Sequence, residues 1–446
     1  MLSESWDVSA DGLVYTFHLK KGILSQAGNE LTADDVIWSY ERKWKTHSVA
    51  PFVNALVISD PAKQFAKVDK YTFTITIPHK GDGLTLLGLL ANVTGEIYDT
   101  TLLKQHETPD DPYAVKWSSQ NGNFGFGPYT LSRFTSGQEL VLRANPNYVF
   151  GKPKIDRIIQ RLVPDAGTRA NLLRNGDVDV AVQLRPADIA ELAGDKAVLT
   201  FNMPTNNYVW LVMKTNAKPF DDLAVRQALE LAIPYERIVE QVYKGHARTI
   251  TGLINPVYAG ASVDLPAKVY DPGKAKAILE QAGYKEPLKI SIDVSTAVAD
   301  LGELALQIQT YESQAGFDVE VNSLPAAALQ KNISDGTFQS YLSRDMAFTQ
   351  SPPYELLINL GKGSRINRSK WENEDYYAAV QAGLDAGDPL SPEAAKHWNN
   401  AQKLWREFVP YSTIAAVGPL MATSASVKGF AHRSDNVIDF SILSKD

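Results

Sequence analysis

The sequence predicts a mixed α/β protein with two or three domains, and three observations support this prediction. The chain has 446 residues, which exceeds the size of one ordinary domain. Its first 143 residues contain mostly period-two segments, which are typical of strands. Its later half alternates strand-like and helix-like segments, the order expected for a mainly parallel sheet. Two α/β lobes favour a cleft between them, where small ligands usually bind.

Alternating apolar residues identify the strands of the first part. Residues 13–20 and 71–77 each alternate between apolar and polar side chains, which predicts two half-buried strands. Thr32 precedes Asp35 by three positions, the spacing of a capping box, and so predicts a helix start. This part therefore has an α+β composition.

The end of the first part combines a loop and a hairpin. Residues 105–124 are polar and rich in Pro, Asn and Gly, which predicts a loop. Residues 129–134 and 139–143 follow as a strand pair with Ser136-Gly137 at the turn.

The later half begins with a helical stripe and continues as a β-α-β series. The stripe runs from Leu223 and stops before Pro234, while Asp271-Pro272 opens the next helix and Gly283 closes it. The remaining predicted elements are a strand at 288–294, a helix at 300–315, a strand at 319–321, a helix at 326–333, a strand at 338–342, and helices at 376–384 and 393–408.

Composition excludes several classes of function. The net charge of −7 argues against nucleic-acid binding, which normally requires a basic face. No run of eighteen apolar residues is long enough to span a membrane. The absence of cysteine excludes disulfides, thiolate metal sites and a cysteine nucleophile.

Motifs of enzymes are absent from the sequence. It contains no Gly-x-Ser-x-Gly elbow, no phosphate-binding loop and no His-Glu-x-x-His zinc helix, and its seven histidines are scattered. We therefore expect no catalytic residues, no metal and no cofactor. The alternative from another class is a two-lobed α/β hydrolase, for which the sequence offers no nucleophile.

Nine short blocks in a fixed order carry a resemblance to a known family. Glu4-Ser5-Trp6 opens the first block, Gly127-Pro128-Tyr129 lies in the middle of the chain, and Val225-Arg226-Gln227-Ala228-Leu229 lies in the second half. The blocks span residues 4–22, 31–36, 127–131, 145–148, 151–156, 176–181, 219–229, 270–284 and 427–430. Together they resemble the extracytoplasmic solute-binding proteins of ABC transporters, family 5, the dipeptide, oligopeptide and nickel class.

The resemblance implies a type II periplasmic-binding-protein-like fold with two main lobes and an inserted domain. On this basis we expect an inserted α+β domain at 1–143, a core lobe at 144–218 plus 425–446, and a second lobe at 219–424. The ligand would lie in the inter-lobe cleft and be enclosed by hinge closure. Relatives carry a further stretch before the first block, so the chain either is truncated or has a late assigned start.

The resemblance also implies partners and a location. We expect a monomer that captures a small-molecule or peptide ligand and delivers it to ABC permease subunits in the membrane, without contact to nucleic acid. The expected location is periplasmic or extracellular and membrane-associated, although the sequence opens without a signal peptide.

One segment of the resemblance departs from the pattern of peptide-binding relatives, which hold the ligand's amino group with an aspartate before a proline. Counting back from Pro352, that position falls on Phe348, and the usual tryptophan position falls on Asp345. Asp345 could still bind an ammonium group, and Arg344 could bind a carboxylate. Neighbouring residues of a strand point in opposite directions, so both cannot face the cleft if the strand continues.

The predicted ligand-binding residues are Asn121, Asn123, Phe124, Tyr208, Trp210, Arg344, Asp345, Phe348, Gln350, Tyr354 and Trp371.

The altered anchor segment sets the order of the expected ligands. An amino-acid conjugate or opine-like solute comes first, a short peptide second and an oligosaccharide third. A nickel chelate is less favoured because the segment contains no histidine.

Overall fold

A computed structural model of the chain describes residues 1–46, 48–261, 264–431, 433 and 435–446. These residues form two compact units, the first comprising Met1–Pro164 with Ser426–Asp446 and the second Asp165–Ala425. The division into three domains expected from the sequence stays a prediction.

The described residues of the first unit before residue 164 form seven strands and six α-helices. In chain order they are β1 (Ser3–Val8), β2 (Val14–Leu19), α1 (Ala33–Lys45), α2 (Ala50–Val53), α3 (Pro61–Gln64), β3 (Phe65–Lys67), β4 (Thr72–Thr76), α4 (Gly83–Leu90), α5 (Thr100–Lys104), α6 (Val115–Gln120), β5 (Tyr129–Thr135), β6 (Glu139–Ala144) and β7 (Arg157–Arg161).

Local sequence signals correctly predicted β2, β4, the start of α1 and the hairpin of β5 and β6. Strands β2 and β4 pair antiparallel, and the rings of Phe17 and Phe73 stack with centroids 5.2 Å apart. The capping box is present, since the Asp35 carboxylate accepts from the Thr32 backbone N–H at 2.7 Å. The predicted hairpin forms β5 and β6, with Gly137 at a positive φ of 71° in its turn. Glycine adopts that conformation without a steric penalty.

The prediction of an uninterrupted loop at 105–124 was wrong, because α6 lies within it. The Asp111 carboxylate accepts from the backbone N–H groups of Val115 and Lys116 at 2.7 and 2.8 Å. The His106 ring stacks on Trp117 with centroids 3.9 Å apart. These contacts satisfy the first N–H groups of a helix whose composition is otherwise typical of a loop.

The second unit contains two sheets with helices packed against them. Its elements are α7 (Ala166–Arg174), β8 (Val180–Val182), α8 (Pro186–Leu192), β9 (Val198–Thr200), β10 (Asn207–Met213), α9 (Leu223–Ala232), α10 (Tyr235–Arg237), β11 (Ala247–Arg248), α11 (Pro272–Gln281), β12 (Leu288–Ser295), α12 (Ala299–Glu312), β13 (Phe317–Leu324), α13 (Ala326–Asp335), β14 (Ser340–Met346), α14 (Pro352–Leu360), α15 (Glu374–Asp385), α16 (Pro392–Phe408), β15 (Tyr411–Val417) and β16 (Met421–Ser424).

The larger sheet has the order β11-β15-β10-β14-β12-β13. Strand β12 pairs parallel with β13 and with β14, which confirms the predicted β-α-β series. Strand β10 pairs antiparallel with β14 and β15, so the sheet is mixed. The third predicted strand, at 338–342, was placed too early, since β14 occupies Ser340–Met346. Pairing along the full length of β10 carries β14 beyond its apolar residues.

The two faces of this sheet have different contents. Val209, Leu211 and Leu342 point to one face and join the main hydrophobic core. Tyr208, Trp210 and their cross-strand partners point to the other face. The sheet therefore has a packed apolar side and a second side on which polar and aromatic groups meet.

The C-terminal residues return to the first unit as β17 (Val427–Lys428) and β18 (Ser444–Lys445), which pair antiparallel. Over the described ranges, no helix has both the length and the apolar character needed to cross a lipid bilayer.

Candidate functional site

The site is centred on Tyr208 and Asp345, which are direct cross-strand partners on β10 and β14. Such partners place their side chains on one face, about 5 Å apart at Cβ. Trp210 is opposite Ser343 two positions along, and so lies on the same face. The register of these two strands thus brings together three of the predicted ligand-binding residues.

Aromatic rings surround this carboxyl group. The ring centroid of Trp210 lies 5.0 Å from that of Tyr208 and 5.3 Å from that of Tyr411 on β15. Tyr354 on α14 is buried, which raises the pKa of its hydroxyl, and the charges of Glu355 and Asp345 raise it further. An aromatic surface beside an acid attracts cations through both the charge and the ring quadrupoles.

Asp345 is accessible to solvent yet strongly desolvated. Its side chain is exposed, while the dense surroundings raise the pKa of its carboxyl to about 6. One oxygen accepts a hydrogen bond from the backbone N–H of Met346 at 2.8 Å, which favours the charged form and limits the rise.

A second acid lies beneath this face. Glu355 on α14 is 1% exposed, and one of its oxygens accepts from the Tyr258 hydroxyl at 3.1 Å. Burial raises its pKa to about 8, with a further rise from the charge of Asp345 and opposing effects from Tyr208 and Tyr258. Glu355, Tyr258 and Tyr411 were not predicted from the sequence. The only signal for Glu355 was a single acid within the apolar run of α14.

Arg344 lies on the opposite face from Asp345, because β14 continues through both residues. Its Nη1 donates to Asp300 Oδ1 at 2.6 Å, and its Nη2 donates to Gln183 Oε1. The two neighbouring residues are therefore separated, and a joint clamp for an amine and a carboxylate does not form on one face.

The remaining candidates of this unit differ in how far they are exposed to solvent. Phe348 is half-buried and Gln350 exposed in the segment between β14 and α14. Trp371 is buried against Tyr376 and Phe408, with centroids 5.2 and 5.9 Å away. Trp371 therefore packs within the helical layer.

The three candidates of the first unit hold local structure. The Asn121 amide donates to the Trp117 carbonyl at 2.8 Å. Asn123, at a φ of 68°, accepts from the Leu131 N–H at 2.6 Å and donates to its carbonyl at 3.1 Å. Phe124 packs with the cluster around Trp38. A role for these residues in ligand binding stays a prediction.

Comparison with known proteins identifies the family. Residues 1–367 match the bacterial extracellular solute-binding proteins, family 5 Middle. The chain belongs to this family. This confirms the resemblance seen in the nine sequence blocks and makes the protein a solute-binding receptor of the kind that serves ABC importers.

Curated relatives match along nearly the whole chain. Di/tripeptide-binding protein 2 of Pseudomonas aeruginosa is 26% identical, over 100% of this chain and 86% of the relative. The heme-binding protein A of Haemophilus influenzae is also 26% identical, over 96% of this chain and 81% of the relative. These relatives are binding proteins.

Solved structures confirm the type II periplasmic-binding fold. The chain covers 89% of Helicobacter pylori DppA, solved with the peptide STSA, at 22% identity and a TM-score of 0.85 over all of this chain. It covers 89% of MoaA from A. tumefaciens R10, solved with mannopinic acid, at 23% identity and a TM-score of 0.84 over all of this chain. At these identities the likeness establishes the fold.

Proposed function

We propose that this receptor captures a small organic solute bearing an ammonium group, either an amino-acid conjugate of the opine type or a short peptide. The receptor acts outside the cytoplasm, where it closes around the solute and delivers it to a permease in the membrane. The observation that carries this proposal is the Asp345 carboxyl, which is accessible to solvent, desolvated and set among Tyr208, Trp210 and Tyr354.

The charges around Asp345 favour a cationic ligand group. Within the described residues, Asp345 forms no salt bridge with Lys, Arg or His. A desolvated carboxylate without a counter-ion is costly, and a ligand ammonium group would remove that cost through a charge-assisted hydrogen bond. The named ligands of relatives include di- and tripeptides and mannopinic acid, all of which combine an amine with carboxylates.

The aromatic rings favour one second candidate. Tyr208 and Trp210 offer flat apolar surfaces with polar edges, on which sugar rings also pack. An oligosaccharide would use these surfaces and leave Asp345 as a hydrogen-bond acceptor. A neutral sugar would not require the negative charge of Asp345, which separates the two candidates.

Calorimetric titration of the purified protein tests the proposal with four probes: the dipeptide Met-Leu, its N-acetyl derivative, mannopinic acid and maltotriose. We expect binding by Met-Leu or mannopinic acid and none by the acetylated peptide. The substitution Asp345→Asn should weaken binding about 10- to 100-fold, since a charge-assisted hydrogen bond contributes roughly 1.5–3 kcal/mol. The exposed Asp318→Asn is the matched control.

Other results would overturn the proposal. Tight binding of maltotriose, unchanged by Asp345→Asn, would favour the sugar candidate. Equal affinity for the free and acetylated dipeptide would exclude an ammonium contact. Mass spectrometry of the probe after incubation separates a receptor, which returns it intact, from an enzyme, which converts it.

A further inference from the structure

We propose that Glu355 is a buried second counter-ion of the site, which holds a proton in the ligand-free receptor and releases it when a cationic solute binds beside Asp345. This inference rests on the proposed function, because it requires a ligand with a positive charge. It adds that capture of the solute is coupled to loss of one proton to solvent.

The Glu355 carboxyl group has one hydrogen-bonded oxygen and one oxygen without a partner among the described residues. Glu355 Oε2 accepts from the Tyr258 hydroxyl at 3.1 Å, while Oε1 has no hydrogen-bond partner among the described residues. The Tyr208 hydroxyl is fully buried close to the same carboxyl and, like that of Tyr258, favours its charged form. Buried polar atoms are normally paired, so the unpartnered Oε1 marks a position where a further polar group is expected.

The titratable groups around Glu355 are acids and phenols, and none of them carries a positive charge. The titratable groups that act on Glu355 are Tyr208 on β10, Asp345 on β14 and Tyr258 in the segment before α11. Tyr354 on α14, Tyr376 on α15 and Tyr411 on β15 respond to its charge. All are acids or phenols. Among the described residues, no Lys, Arg or His forms a salt bridge with Glu355 or shifts its pKa.

Negative charges on both Glu355 and Asp345 would repel each other. Without a cation, ionisation of Glu355 places a second charge in a buried position beside Asp345, so the protonated form is favoured. Burial indeed raises the pKa of Glu355 to about 8, whereas that of Asp345 is raised to about 6. At pH 7 one carboxyl is therefore mainly ionised and the other mainly protonated.

A bound ammonium group changes this balance. Its positive charge stabilises both carboxylates, and the O–H bond of Glu355 breaks with transfer of the proton to the buffer. Burial raises the pKa values of the five tyrosines around Glu355, so their hydroxyl groups keep their protons at pH 7. Proton release at pH 7 then originates mainly from Glu355.

Two measurements test the inference. In the ligand-free protein, the carboxyl signal of Glu355 in ¹³C NMR, assigned by its loss in Glu355→Gln, should show a protonated acid at pH 7. For binding, Met-Leu, mannopinic acid and ethylammonium chloride are titrated calorimetrically in phosphate and in Tris at pH 7. The difference in heat between the buffers should correspond to between half a proton and one proton released per bound cation. The exposed Glu372→Gln should behave like the unaltered protein.

Each outcome decides the question. An ionised Glu355 at pH 7 in the ligand-free protein overturns the inference, even if no probe binds. Binding without a buffer-dependent heat also overturns it and leaves the proposed function intact. Binding of maltotriose alone overturns both. If Glu355→Gln fails to fold, the buffer comparison on the unaltered protein still decides. In addition, Tyr258→Phe removes a hydrogen bond to the Glu355 carboxylate and should raise the pKa of Glu355 in an NMR titration.

Discussion

Arg344 and Asp300 form a hydrogen-bonded ion pair, 2.6 Å from Nη1 to Oδ1, with 14% of the arginine side chain and 2% of the aspartate side chain exposed. The second oxygen of Asp300 accepts from the Tyr243 hydroxyl at 2.9 Å. This pair joins β14 to the start of α12 on the packed side of the sheet. Arg344 thus makes a mostly buried contact within the fold, and a role for it in ligand binding stays a prediction.

Replacement of Arg344 by methionine should destabilise the protein by about 3 kcal/mol, because Asp300 would keep its charge without its cation. Urea unfolding at pH 7 measures the loss. The exposed Arg365→Met is the control and should change stability by less than about 0.5 kcal/mol. A stable Arg344→Met variant with lost affinity for Met-Leu would instead indicate a ligand contact.

A buried ionic network around Glu230 should respond unequally to loss of its members. Glu230 contacts Arg406 and lies 3.1 Å from Lys268, whose side chain is 1% exposed. The substitution Glu230→Gln leaves two cations facing each other and should cost roughly 3–5 kcal/mol. Lys268→Met leaves the Glu230–Arg406 pair intact and should cost less than half as much. Equal losses in thermal and urea unfolding would contradict this account.

Glu312 should make stability depend on pH in a defined direction. Its carboxyl is fully buried, both oxygens lack a hydrogen-bond partner among the described residues, and burial raises its pKa well above the usual value. The folded protein then keeps a proton that the unfolded chain loses near pH 4.3, so folding becomes less favourable as pH rises.

The substitution Glu312→Gln removes this dependence. Relative to the unaltered protein it should gain about 1.4 kcal/mol per pH unit above pH 5, until the folded-state pKa is reached. The two proteins should converge near pH 4. Urea titrations at four pH values measure the difference, and exposed Glu320→Gln serves as the control. A gap that does not widen with pH would count against a protonated Glu312.

Two helical glycines should respond to alanine with opposite signs. A Cβ at Gly383 on α15 would overlap the indole ring of Trp398, which is fully buried on α16. Gly383→Ala should therefore destabilise by about 1–3 kcal/mol. At Gly302 on α12 nothing lies within 4 Å, so Gly302→Ala should stabilise by roughly 0.5–1 kcal/mol. Thermal unfolding of both variants measures the contrast.

Elements with strong local signals could be predicted from the sequence. Strand β2 alternates cleanly, and α11 begins at a cap followed by proline, so neither required knowledge of distant residues. The end of β14 could not be predicted, because pairing with β10 determines it, and the polar residues 343–345 are typical of a turn.

Three residues of the candidate site could be predicted from the sequence. Tyr208, Trp210 and Asp345 followed from the family resemblance, and strand register then placed them on one face. Glu355 was missed because one acid on a helix is usually solvent-exposed, and only packing against Tyr208 and Tyr258 buries it. Tyr258 lies in an irregular segment without periodicity, so no local pattern indicated it.

The alternation of side chains along β14 has a consequence for how this receptor can change. Adjacent codons specify Arg344, which holds β14 to α12, and Asp345, which faces the aromatic side. Because the strand separates the two side chains, residue 345 can be varied without removing the ion pair made by residue 344. Under the proposed function, saturation libraries at the single codon for residue 345, on an unaltered scaffold, would therefore yield receptors for other solutes.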